Sequence, residues 1–241
     1  MNRYLIELTY IGTHFAGFQT QKNAHSIQDE LTKALKIITN TDIILTGSSR
    51  TDSGVHAKQN FFHFDSEYHF TEKHIYKLNA IISPDISCKR ISGVAPTFHC
   101  RFDATARRYV YRIHRFKNPF INNISYYFPY VLNAAAIMEA TELIKSTSDF
   151  KLFSKKHTDV KHFNCQIHNA EWVFNDQEYF FTIQANRFLR GMVKGIVGTL
   201  LLVGREKLSV SDFKNLLQEK NNYQVDFSPP SKGLCLEQVI F

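Results

Sequence analysis

In the stretch GSSRTDSGVHA, residues 47–57, a single carboxylate, Asp52, stands two residues after Arg50 and two before Gly54. A nearby cation favours the charged form of an acid, and a glycine can adopt backbone conformations barred to larger residues. Ordinary turn chemistry explains most Asp-Ser-Gly sequences wherever they occur. An aspartic protease would need a second, matching carboxylate to share a proton, and no other Asp-Thr-Gly or Asp-Ser-Gly occurs in the chain. A lone ionised acid can still work as a nucleophile or a base at one centre.

A second stretch offers stacking and charge together. In RRYVYRIHRF, residues 107–116, Tyr109, Tyr111 and Ile113 alternate with Arg108, Val110 and Arg112, so a strand there has one apolar face and one carrying arginines. Two alternating tyrosines are also ordinary strand filling. Arg107 and Arg108 are read as phosphate contacts. Lys and Arg number 29 against 22 Asp and Glu, a formal charge of +7, which suits a polyanionic partner such as nucleic acid. The four cysteines, Cys88, Cys100, Cys165 and Cys235, are scattered, with no C-x-x-C spacing for a structural zinc or redox centre. A zinc deaminase, which also acts on flipped bases, would need that spacing together with an H-x-E. The longest apolar run, Ile196 to Val203, falls well short of the roughly 20 residues of a membrane span, and the opening MNRYLIELTY is no secretory signal. These features describe a soluble protein of a reducing compartment.

The elements that would position these residues follow from periodicity. Tyr4, Ile6, Leu8 and Tyr10 alternate as a half-buried strand. Ser26 with Asp29 forms a capping-box pattern, and Ile27, Leu31, Ala34, Leu35 and Ile38 recur at helical spacing behind it. NFFHFD reads as a strand directly after the Asp52 stretch, residues 71–82 as a helix closed by Pro84, and residues 86–94 as another strand. The second half follows a similar order: a strand, a helix near 133–145, two strands across 163–185, and a long helix through Met192, Val193, Ile196, Val197, Leu200 and Leu201. Between the halves, KNPFINNISYYFPY, residues 117–130, breaks every period. The expectation is two α+β units, 1–116 and 117–241, each a small antiparallel sheet backed by helices.

RTDSGVHA closely resembles the signature of the TruA-type tRNA pseudouridine synthases. YIGTHFAGFQTQ followed by SIQDELTKAL, then FHCRFDATARRYVYRI, FLRGMVKGIVGTLLLVG and PPSKGLCLEQVIF fall in the order and roughly the spacing of that family, so the resemblance spans nearly the whole chain. It implies two ferredoxin-like units forming a mixed, mainly antiparallel sheet, with helices packed on it and a basic cleft. The implied activity is isomerisation of uridine to pseudouridine in the anticodon arm of tRNA, with no metal, nucleotide or redox cofactor, by a cytoplasmic homodimer. The uracil is detached, turned over and reattached through carbon, which needs one ionised carboxylate at the ribose rather than the paired acids of a glycosidase.

The resemblance assigns Asp52 as the catalytic residue, acting as nucleophile or as base. Arg50 in the same motif is implied to contact RNA or help open the stem, and His56 is read as a structural hydrogen-bonding residue. A base in a stem must be extruded onto an aromatic surface, and the family's tyrosine in R-x-Y-x-Y matches Tyr109; Tyr111 points the same way along the strand and stays open. Two positions depart from the family pattern. Lys194 stands where an arginine of M-V-R pairs with the aspartate, keeping the charge but not the two-pronged geometry, with Arg190 or Arg187 as substitutes. Phe18 stands where tryptophan is usual, an apolar exchange. A non-catalytic RNA-binding protein on the same units would also use the charge and the aromatics, but would have no use for an aspartate facing a polyanion. A paralogue with an altered RNA substrate is the other alternative.

Overall fold

The computed structural model describes residues 1–155, 160–220 and 222–241. The chain packs as two units, residues 1–105 with 235–241, and residues 106–234. The strand bearing Tyr109 therefore opens the second unit, where the sequence reading closed the first with it, and the last segment returns to the first unit. Local periodicity marks a strand but not its partners, which are chosen by long-range pairing.

In the first unit, β1 (Asn2–Tyr10) buries Tyr4, Ile6, Leu8 and Tyr10, as its alternation demands. Helix α1 (Ile27–Thr39) starts at the expected capping box: the Ser26 hydroxyl accepts the Asp29 N–H, and the Asp29 carboxylate accepts the Ser26 N–H at 3.0 Å. Loss of such a cap costs about 1 kcal/mol. Ile27, Leu31, Ala34 and Leu35 form its buried stripe. There follow β2 (Thr46–Gly47), β3 (His56–Ser66), α2 (Lys73–Ile81) and β4 (Ile86–Val94). Strand β1 lies between β3 and β4, antiparallel to both, with Ile6 opposite Phe62 and Ile91. Strand β2 pairs antiparallel with the far side of β3. This is the split β-α-β-β-α-β order of a ferredoxin-like unit. Phe18 is buried and stacks on Phe62 at 4.3 Å, which makes it a core residue.

The second unit contains β5 (Ala106–His114), β6 (Tyr126–Tyr127), α3 (Ala134–Lys145), β7 (Ile167–Phe174), β8 (Glu178–Ala185), α4 (Met192–Gly204) and α5 (Val210–Leu217). Strand β8 lies antiparallel between β5 and β7, and β6 adds a short parallel pairing to β5. The order β5, α3, β7, β8, α4 repeats that of β1, α1, β2, β3, α2. On β5, Tyr109, Tyr111 and Ile113 are buried while Arg108, Val110 and Arg112 are half-buried, so the two-faced strand forms as expected. Helix α4 is apolar on nearly every side and forms the unit's central buried helix, with Met192, Ile196, Val197 and Leu200 fully covered.

The chain then returns to the first unit as β9 (Leu234–Ile240), which runs parallel to the start of β3, His56 opposite Cys235 and Ala57 opposite Leu236. Lys58 pairs with Glu237 at 2.9 Å, and the Val239 N–H donates to Gln59 Oε1 at 3.2 Å. The α+β class with mixed, mainly antiparallel strand pairing is as expected from the sequence.

Candidate active site

Asp52 lies on the loop 48–55 between β2 and β3, half-buried, with Arg50 exposed beside it. The loop is fastened on both flanks. Phe18 N–H donates to the Thr51 carbonyl at 3.1 Å, the Ser53 hydroxyl donates to the Phe15 carbonyl at 3.1 Å, and Ser48 N–H donates to the Phe61 carbonyl at 2.8 Å. The turn after the acid closes through Val55 N–H to the Asp52 carbonyl at 3.1 Å, with Gly54 at φ +76°, a conformation that a side chain would strain. Gly17, at φ +116°, lies where an added Cβ would stand 3.0 Å from the Thr51 carbonyl, so segment 12–18 can run flush against the loop.

His56 is buried, and its Nδ1 accepts the Gly12 N–H at 3.0 Å. This fixes the tautomer with the proton on Nε2 and gives the residue the structural hydrogen-bonding role expected of it. Beneath the loop, Tyr10, Asn60 and Thr51 form a buried polar cluster. Sequence reasoning counted Tyr10 as core and Asn60 as the first residue of a strand. The one available signal was an amide at the head of the aromatic-rich run NFFHFD.

In the second unit, Tyr109 and Arg107 share one face of β5, and Arg108 points to the other. The Tyr109 ring meets Phe188 edge-on, centroids 5.1 Å apart, and the Arg107 guanidinium donates to the Asn186 carbonyl at 3.1 Å. Both contacts tie β5 to the connection 186–191 that leads into α4. Arg187 on that connection lies 3.2 Å from His162 Nε2, and Arg190 is exposed. Lys194 sits half-buried in the first turn of α4. Tyr111, in contrast, is fully buried and its hydroxyl donates to the Pro230 carbonyl at 2.7 Å, which commits it to the core, while Tyr109 is buried but for 8% of its surface. Phe188 was not singled out from sequence.

Burial pushes the thiols up, Cys88 to about 12, and Cys165 and Cys235 to about 11, so none of the three presents a thiolate at neutral pH. Among the described residues no three His, Cys, Asp or Glu side chains gather as metal ligands would, and no described helix is long and apolar enough to cross a membrane. The first unit thus displays a half-buried carboxylate on a fastened loop, and the second carries Tyr109 against Phe188 with Arg107 on the same strand face.

Comparison with known proteins places the chain in a family. The sequence profile described as tRNA pseudouridine synthase matches residues 8–103 and 143–241. A tRNA pseudouridine synthase A of Bacteroides fragilis is 45% identical, covering 99% of this chain and 96% of its own. That of Parabacteroides distasonis is 40% identical over 100% and 96%. That of Staphylococcus aureus strain Newman is 32% identical over 98% and 90%.

Proposed function

The chain belongs to the tRNA pseudouridine synthase family, and we propose that Asp52 carries its isomerisation of uridine to pseudouridine. In that reaction the bond from ribose C1′ to the uracil nitrogen breaks, the base turns, and a bond from C1′ to carbon forms. The displaced carbon-bound proton ends on nitrogen, so every atom is conserved and no redox partner enters the balance. Asp52 supplies the anion at the ribose, as nucleophile at C1′ or as base at C2′. Tyr109 is the flat surface for the extruded uracil, its edge braced by Phe188. Arg50 and Arg107 hold phosphates, and Lys194 takes the place of the arginine that the family resemblance pairs with the aspartate. Arg108, on the opposite face of β5, takes phosphate outside that group.

The substrate segment is the anticodon arm of tRNA, and the protein acts as a cytoplasmic homodimer with a basic RNA-binding cleft. The family resemblance supports both statements, and the formal charge of +7 suits the RNA. The observation that carries the whole reading is the setting of Asp52: a half-exposed acid whose flanking backbone is fastened to segment 12–18 and to β3. Fixed geometry of this kind is what a reacting group requires and a turn aspartate does not.

The test is incubation with unmodified tRNA transcripts followed by mapping of pseudouridine. Wild type should modify uridines of the anticodon arm, and Asp52→Asn should bind the transcript without modifying it. Modification outside the arm would revise the substrate, and an active Asn variant would remove Asp52 from the chemistry. Sedimentation of the free protein tests the dimer.

A further inference from the structure

We infer that Asn60 and Tyr10 are positioning residues for Asp52, a buried line of hydrogen bonds from β3 through β1 to Thr51 that decides which side chains of segment 49–52 face outward. The inference rests on Asp52 being the reacting carboxylate. Asn60 is completely buried and Tyr10 nearly so. The Asn60 amide nitrogen donates to the Ser49 carbonyl at 2.8 Å and to the Tyr10 hydroxyl at 3.0 Å. Ser49 O can only accept, so the orientation of the amide is settled by its partner. The Asn60 carbonyl oxygen accepts the Phe61 N–H at 2.9 Å, which locks the side chain from its other end.

The Tyr10 oxygen accepts from Asn60 and shares a second hydrogen bond with Thr51 Oγ1 at 2.8 Å, in which either hydroxyl can donate. The line therefore runs unbroken from Asn60 through Tyr10 to Thr51. Burial holds the Tyr10 phenol far above its ordinary pKa, so it keeps its proton at any working pH.

The consequence for the loop is geometric. Ser49 is tied inward by its carbonyl and Thr51 by its hydroxyl, and both are buried. The residues between and after them, Arg50 and Asp52, stand exposed and half-exposed. Two internal anchors two residues apart set an in-out alternation, and a slip by one residue would bury the acid. The contact of Phe18 N–H with the Thr51 carbonyl at 3.1 Å fixes the same residue from outside the strand pair.

The experiment measures single-turnover pseudouridine formation, transcript affinity and thermal midpoint for Tyr10→Phe, Thr51→Val and the double variant. Each single variant should lose about tenfold in rate, with affinity held within about twofold, because a misplaced reacting group costs rate more than binding. The double variant should lose no more than either single, since the two act on one bond. Thr51→Ser should recover the rate by restoring the hydroxyl. Folded single variants with full rate and a lowered midpoint would reduce the line to a stability device, and losses that multiply in the double variant would also overturn it. Thr51→Val changes a loop residue rather than the core, so it answers the question even if Tyr10→Phe folds poorly. Asp52→Asn is run alongside: an active Asn variant sinks the functional reading itself, whereas an inactive one beside a fully active Tyr10→Phe sinks only the positioning role.

Discussion

The two units lay down the same five elements in the same order, yet join their middle strands differently. Between β2 and β3 the chain runs through residues 48–55 and displays Asp52, whereas β7 and β8 are joined by residues 175–177 alone. In that short turn Asn175 Oδ1 accepts the N–H groups of Gln177 and Glu178 at 3.0 and 2.6 Å, and the turn is satisfied within itself. The connections after the third strand differ in the reverse sense. Residues 67–72 of the first unit include Glu67 and Glu72, while residues 186–191 of the second include Arg187 and Arg190. The units thus differ in what their connections carry: an acid in the long loop between the second and third strands of one, and cations after the third strand of the other. Connections vary more freely than the strands and helices they join.

If this contrast is right, the strongest effect belongs to the acid: Asp52→Asn should lower turnover by roughly a thousandfold or more in a tritium-release assay. In the helix turn that follows the cationic connection, Lys194→Met should lose about tenfold, and Lys194→Arg should keep or raise the rate because a guanidinium fits an anion at least as well. Equal rates for Met and wild type would shift attention to Arg187 and Arg190. Gly54→Ala should cost about 1 kcal/mol in a denaturant midpoint, since φ +76° strains any side chain. No measurable cost would mean the loop relaxes freely and is not the fixed display proposed.

The scaffold should respond to pH alike in both units. Burial holds the imidazoles of His63 and His114 below the ordinary histidine value, helped by neighbouring His99 and Arg3 for His63 and by Lys232 for His114. The unfolded chain then binds more protons than the folded one once pH drops below about 6.5. Stability should be complete above that value and decline as pH falls toward the folded-state pKa of each ring, as thermal melts across pH 7.5 to about 5 would reveal. Replacing either histidine with glutamine should flatten the decline. The smallest effect is expected at Asp176, exposed in the plain turn: Asp176→Asn should leave turnover unchanged, and a loss there would undo the asymmetry between the units.

The sequence was most informative where local chemistry decides structure. The Ser26 and Asp29 cap, the alternation of β1 and the two faces of β5 all depend on neighbours a few residues apart, and all formed as read. Asp52 stood out because its motif is contiguous. Less visible were features made by distant partners. Strand β2 is two residues long, and β9 is defined by pairing with a strand some 180 residues earlier in the chain, which no period encodes. The division between units moved for that reason. Asn60 and Tyr10 escaped notice because a buried hydrogen-bonded amide and a buried phenol look, in sequence, like strand composition. Tyr111 could be told from Tyr109 only once its hydroxyl was seen donating to Pro230.

The parallel pairing of β9 with β3 also governs how the protein is made. Residues 235–241 leave the ribosome long after residues 56–66, on the order of ten seconds later at typical elongation speeds. Through that interval the strand following the acid loop has an open edge at His56 and Ala57, without the Lys58 to Glu237 pair or the Phe61 to Phe241 ring contact. Open edges invite pairing with the wrong strand. The second unit is itself complete only as residue 234 is added, immediately before β9, so the acid loop gains its last neighbouring strand only when synthesis has passed through both units.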